Sequence, residues 1–175
     1  EFFGEGGWRE YIDDLVRMRI HGVDAGYVQG LRKAGYSNLT VGELVKTRIH
    51  GATPAFAQEV SAAGFDKVSI DDLVKMRIHG VDAEYIAEFR KAGYDKLTVQ
   101  ELIKTRIHGA TPAFVQELKA AGFDKLTVDE LVKMRIHGVT PDFIREIRAL
   151  GYKDLPVDEL VKLRIHGVTP AFLKE

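Results

Sequence analysis

One tetrapeptide limits what this chain can fold into: Arg-Ile-His-Gly occurs six times, each 29 residues from the next. All six histidines belong to it, at His21, His50, His79, His108, His137 and His166, each two residues after Arg19, Arg48, Arg77, Arg106, Arg135 or Arg164. A period of this length marks a repeat architecture, in which each unit covers its apolar face only by stacking on its neighbours. A second period lies over the first. Residues 16–73 and 74–131 align without gaps; 17 of the 58 positions differ, leaving 41 identical. Thr47 and Thr105 accompany Ala52 and Ala110, whereas Met18 and Met76 accompany Val23 and Val81. Odd and even repeats therefore differ, and the pair reads as the duplicated unit.

Each repeat spells out two helices with their caps. The first begins at Thr40, Ser69, Thr98 or Thr127, followed three residues later by Glu43, Asp72, Glu101 or Glu130. That is the reciprocal capping-box pattern, in which a hydroxyl and a carboxylate satisfy two free backbone N–H groups. Pro156 takes the cap position in the fifth linker and Glu159 is retained. The helix closes at Gly51, Gly80, Gly109 and their equivalents, where a residue without Cβ adopts the left-handed conformation. The second helix starts at Thr53-Pro54 or Asp82-Ala83 and ends at Gly35, Gly64, Gly93, Gly122 or Gly151. Helices of about ten residues are marginal alone in water. Stacking must hold them. The spacing predicts one core stripe from Val41, Leu44, Val45 and Ile49, and a second from Phe56, Ala57, Val60 and Ala63.

The expected fold is all-α: a solenoid of six stacked helix-turn-helix units, roughly 50–60 Å long at 8–10 Å per helix row. Residues 11–175 read as one solenoid whose last repeat is truncated. Residues 1–10 read as the end of a preceding half-repeat and a linker. Hydrogen exchange is expected to be fastest in the outermost repeats, where Phe2, Phe3, Trp8, Phe172 and Leu173 lack a neighbour or pair with another copy of the chain.

Composition narrows the function classes. With 25 Lys plus Arg against 26 Asp plus Glu the net charge is −1, without the basic excess of a polyanion-binding protein. Zero cysteines remove thiolate chemistry and leave the compartment open. No apolar stretch approaches the roughly 20 residues that span a bilayer, so no membrane insertion of this segment is expected. The N-terminal Glu-Phe-Phe-Gly-Glu-Gly-Gly has neither Met nor a basic n-region and reads as a cut inside a longer protein.

The repeated polar residues have structural readings. One histidine per repeat, about 10 Å from the next, cannot assemble a metal site, so the histidines are expected to cap helix ends or pack between repeats. On a helical wheel Arg48 falls in the middle of the apolar face, and its five equivalents follow. A buried guanidinium needs matched acceptors, supplied by helix-end carbonyls or by Glu59, Glu88, Glu117 and Glu146. Gly30 replaces that glutamate in the first repeat. Asp71 with Lys75, Asp129 with Lys133 and Asp158 with Lys162 read as i,i+4 pairs. Tyr36, Phe65, Tyr94, Phe123 and Tyr152 read as pegs between repeats.

The string Arg-Ile-His-Gly-Val-Thr-Pro-Asp-Phe-Ile-Arg-Glu-Ile-Arg-Ala-Leu-Gly-Tyr, from Arg135 to Tyr152, followed by Leu-Pro-Val-Asp-Glu-Leu-Val-Lys, resembles the tandem repeats appended to bacterial membrane metallopeptidases of the beta-lactam-sensor (BlaR) type. The likeness covers nearly the whole chain beyond residue 11. It concerns the accessory repeats only: His-Glu-x-x-His is absent, so no catalytic or metal-binding residue carries over. It implies a part of a larger bacterial protein. Together these readings predict a non-catalytic scaffold or protein-interaction module, with a protein or peptide partner, no cofactor and no metal, and self-association through uncapped ends as a further option. Two alternatives share the residues. One is nucleic-acid binding, since Ile-His-Gly-Val-Thr-Pro is similar to a helix-hairpin-helix phosphate clamp. Its usual second glycine is Thr or Asp here, and Asp24 and Asp82 would repel phosphate. The other is a ligand-sensing regulatory tail of an attached enzyme.

Overall fold

The computed structural model describes the backbone of residues 7–174 and side chains from Arg9 onward. Among these residues there are eleven α-helices, one 3-10 turn and no strand. The first helices of the repeats are α1 (Gly7–Ile20), α3 (Val41–Ile49), α5 (Ile70–His79), α7 (Val99–Ile107), α9 (Val128–Ile136) and α11 (Val157–Ile165). The second helices are α2 (Ala25–Lys33), α4 (Pro54–Ala62), α6 (Ala83–Lys91), α8 (Pro112–Ala120) and α10 (Pro141–Ala149). A 3-10 turn, Phe172–Lys174, stands where a sixth second helix would begin, and Phe172 is exposed there. α1 includes residues 7–10, assigned above to a linker. The expectations for residues 1–6, including Phe2 and Phe3, and for the Trp8 side chain lie outside the described residues.

The caps fall where the sequence placed them. Thr40 with Glu43, Thr98 with Glu101 and Thr127 with Glu130 form complete capping boxes. Ser69 accepts from the Asp72 N–H, and Pro156 caps with no side-chain bond. The second helices open on Asp24, Thr53, Asp82, Thr111 and Thr140, each accepting from the N–H three residues on. Gly51 shows why the tetrapeptide ends in glycine. Its φ of +69° lets the Ala52 N–H reach back to the Thr47 carbonyl at 2.9 Å, closing the helix in a reversed turn.

The chain divides into two compact units, Glu1–Ala87 and Glu88–Glu175, with the division inside α6. Within the first unit α1 packs on α3, α3 on α5, and α2 on α4; within the second, α7 packs on α9 and α9 on α11. Like helix lies against like, which is solenoid stacking within each unit. The core is made of equivalent positions: Leu44 and Val45, Leu73 and Val74, Leu102 and Ile103, Leu131 and Val132, Leu160 and Val161 are all buried. The second-helix stripe holds as expected, with Phe56, Ala57 and Val60 buried and Ala63 half-buried.

Two pegs between repeats are explicit: Tyr36 donates to the Val68 carbonyl at 2.9 Å and Tyr94 to the Leu126 carbonyl at 2.6 Å. Burial raises both phenol pKa values, which keeps the hydroxyls neutral donors. Gly30 marks a close approach, since a Cβ there would sit 2.8 Å from Pro54 Cγ in α4.

The lysine–aspartate pairs differ from the i,i+4 assignment. Lys46 binds Asp71, Lys104 binds Asp129 and Lys133 binds Asp158, each at 2.6 Å across 25 residues of chain. Repetition is the reason. An acid four residues before a lysine lies, through the 29-residue period, equally close to the lysine of the preceding repeat. The latter geometry also ties two stacked helices together. These pairs are exposed and contribute modestly.

The lysine holds the Asp71 carboxyl below its ordinary 3.8, through its hydrogen bond and then its charge. The Thr40 N–H and hydroxyl hold Glu43 below 4.5. A carboxyl whose pKa is depressed by folding adds stability above its unfolded pKa and loses it as pH falls through the folded value. The urea midpoint is therefore expected to stay level from pH 7 to about 5 and to decline modestly on further acidification. A midpoint that rises on acidification would contradict these assignments.

Candidate binding edge

The C-terminal ends of the first helices line up along one edge of each unit. The guanidinium of Arg77 lies at Gly51, just past the end of α3, and that of Arg135 lies at Gly109, past the end of α7. Neighbouring first helices thus run parallel, and each arginine reaches back over the repeat before it.

Here the structure corrects the sequence reading. Arg19, Arg48, Arg77, Arg106, Arg135 and Arg164 are all exposed, and none is a buried core charge. Arg48 stacks over the Tyr27 ring at 4.9 Å, Arg77 over Phe56 at 5.2 Å, Arg135 over Phe114 at 5.0 Å and Arg164 over Phe143 at 5.0 Å. These four make no ion pair or hydrogen bond through their side chains among the described residues. The proposed partners Glu59, Glu88, Glu117 and Glu146 are exposed instead. Sequence angle alone points Arg48 inward. In the last turn, however, a long apolar stem can lie along the ring beneath it and carry the charge to water, avoiding the cost of burial. Helix-end carbonyls do attract cations, but the cations come from second helices: Lys119 donates to the Ala92 carbonyl and Arg148 to that of Ala121.

The isoleucine of the tetrapeptide is the residue that sequence reasoning missed. Ile49 was assigned to the core; it is 56% exposed, and Ile78, Ile136 and Ile165 are 54%, 56% and 58% exposed. Eight residues on from Val41, Ile49 has rotated about 80° out of the stripe. Thr47 takes the buried position instead and is fully covered. The useful signal was the buried partner: Thr47 and Met76 occupy one place in the repeat, and only a buried site distinguishes them so consistently.

The histidines cap through their backbones. His50, His108, His137 and His166 occupy the C-cap position, each N–H bonding to the carbonyl four residues back. His79 is the last residue of α5. His21, His79 and His137 are half-buried, and His50, His108 and His166 are exposed. Among the described residues no group of three His, Asp or Glu side chains is placed to hold a metal ion.

The tetrapeptide edge is free of acids in alternate repeats, whereas Asp24, Asp82 with Glu84, and Asp142 stand there in the others. Residues 48–58, 106–116 and 164–174 contain no acid. The first-helix acids, Glu43, Asp71, Glu101, Asp129 and Asp158 among them, sit toward the opposite end, five or six residues before the arginine and so about 8–9 Å away along the helix axis. A concavity of about 550 Å³ in the first unit is lined by Tyr36, Ser61, Asp66, Lys67 and Ser69, among others. Its Asp66 is already engaged by the Ser61 hydroxyl at 2.5 Å.

The chain stands apart from protein-family models, curated proteins and solved structures: none matches.

Proposed function

We propose that this chain is a non-catalytic helical-repeat scaffold that binds protein or peptide partners. The observation that carries the reading is the tetrapeptide edge, where each repeat presents the same exposed arginine and isoleucine. Repetition of one contact set along stacked units is how solenoids build long binding surfaces. Exposed isoleucines at a fixed position have no role in the core. The resemblance of the repeats to those appended to BlaR-type metallopeptidases supports reading the chain as part of a larger bacterial protein. In that context a ligand-sensing regulatory tail would use the same surface.

Selection from a displayed random-peptide library on the purified chain tests the proposal. Enrichment of a peptide motif is the expected result, and recovery of no motif would overturn it. The exposed arginines also supply an observation in favour of the nucleic-acid alternative. That reading requires duplex binding at low salt that weakens steeply with added salt. The isoleucines, and Asp24 and Asp82 at the second-helix N-caps, argue against it.

A further inference from the structure

We propose that the tetrapeptide edge of each unit binds an extended peptide carrying an acidic side chain at every third residue, with an apolar residue beside it. The inference rests on the interaction-module reading and names its partner class.

Charge is the first support. In α3, α5, α7, α9 and α11 the basic residues gather in the last turn, at the tetrapeptide edge, and the acids in the first turn. Of the acids nearest the edge, Asp142 pairs with Arg145, and Asp24 and Asp82 accept the Tyr27 and Tyr85 N–H groups, while Glu84 is exposed in the first turn of α6. An acidic partner meets least opposition at Arg48, Arg106 and Arg164, whose following ten residues contain no acid.

The guanidiniums are also pre-organised. Stacking on Tyr27, Phe56, Phe114 or Phe143 occupies one face of the plane. The N–H donors lie in that plane and point away from its edge. Such a fork accepts a carboxylate through two parallel bonds. Because the ring already fixes the side chain, less freedom is lost on binding.

Spacing selects the conformation of the partner. Adjacent first helices are in contact within each unit, and packed helix axes lie about 8–10 Å apart. Successive guanidiniums therefore recur at about 9 Å. A polyproline II strand turns once in three residues and advances about 3.1 Å per residue, bringing the same side back every ~9.3 Å. A β-strand returns to the same side at about 6.8 Å, which is out of register. Beside each arginine an isoleucine more than half exposed offers the apolar contact. A phosphodiester backbone has no use for that contact, which favours peptide over nucleic acid.

The test is fluorescence anisotropy of a labelled peptide of Glu-Leu-Pro triplets, about twelve residues long to span several guanidiniums. The comparison peptide has the same composition with its glutamates contiguous. The triplet peptide is expected to bind about tenfold more tightly than the clustered one and to weaken with salt. The double variants Arg48→Gln/Arg77→Gln and Arg135→Gln/Arg164→Gln should each lose about tenfold in affinity. Circular dichroism should show both variants folded, because each substituted arginine is exposed and its contact with the ring is weak. Equal binding of the two peptides, unchanged binding in both double variants, or tighter binding of single-stranded DNA than of the triplet peptide would each overturn the inference. If the triplet peptide fails while the random library enriches another motif, this inference falls and the interaction-module reading stands. If the library also yields no motif, both fall.

Discussion

Thr47→Met is expected to destabilise the fold by about 2–6 kcal/mol, although methionine is the native residue at the same place in the next repeat. The Tyr27 hydroxyl donates to Thr47 Oγ1 at 3.0 Å and lies 3.4 Å from the Ala52 carbonyl, while Thr47 donates to Leu44 O at 2.8 Å. Thr47 is fully buried and Tyr27 nearly so. A methionine there overfills the site, at about 1–3 kcal/mol, and strands much of the phenol's hydrogen bonding, at about 1–3 kcal/mol more. Tyr27→Phe alone should cost only about 1 kcal/mol, because Thr47 keeps its carbonyl acceptor. Combining the two changes approximates the arrangement of Phe56 and Met76, both buried. The double variant should therefore be more stable than additivity allows, by about 1–2 kcal/mol. Urea denaturation of the four proteins measures this directly, and strict additivity would remove the tyrosine–threonine pair as a determinant of stacking.

The second large effect compares one repeat position in two environments. Leu73→Ala should cost about 3 kcal/mol, since Leu73 is fully buried and the cavity left behind collapses only partly. Leu15 is the same residue two repeats earlier, yet it is 48% exposed. Leu15→Ala should cost less than about 1 kcal/mol. Comparable losses at the two sites would mean that α1 buries its stripe as fully as α5 does. That would contradict a core made only by stacking.

Much of the fold was legible because its signals are local. Caps, closing glycines and the 29-residue period are written within a few residues of where they act. The packing of the last helical turn was not legible. A wheel treats a helix as an endless cylinder, so it placed Arg48 and Ile49 with Leu44 and Val45, whereas near an end the covering neighbour changes from a helix to one aromatic ring. The exposed isoleucines of the candidate edge were hidden for the same reason. Periodicity also concealed the true partner of Lys46, because in a repeat every short-range pair has a long-range twin.

The phenol–threonine contact has a consequence for how such a chain can change length. Within the units, reading each aromatic ring with the residue twenty positions later gives Tyr27 with Thr47, Phe56 with Met76, Phe114 with Met134 and Phe143 with Leu163. Tyrosine meets threonine; phenylalanine meets a larger apolar side chain. A recombination event that removed residues 45–73 would set Tyr27 against Met76. One that removed residues 45–102 would set it against Thr105, the same residue type as its present partner Thr47. Gains and losses at this seam are therefore tolerated in multiples of 58 residues, and single 29-residue steps are selected against before any partner is consulted.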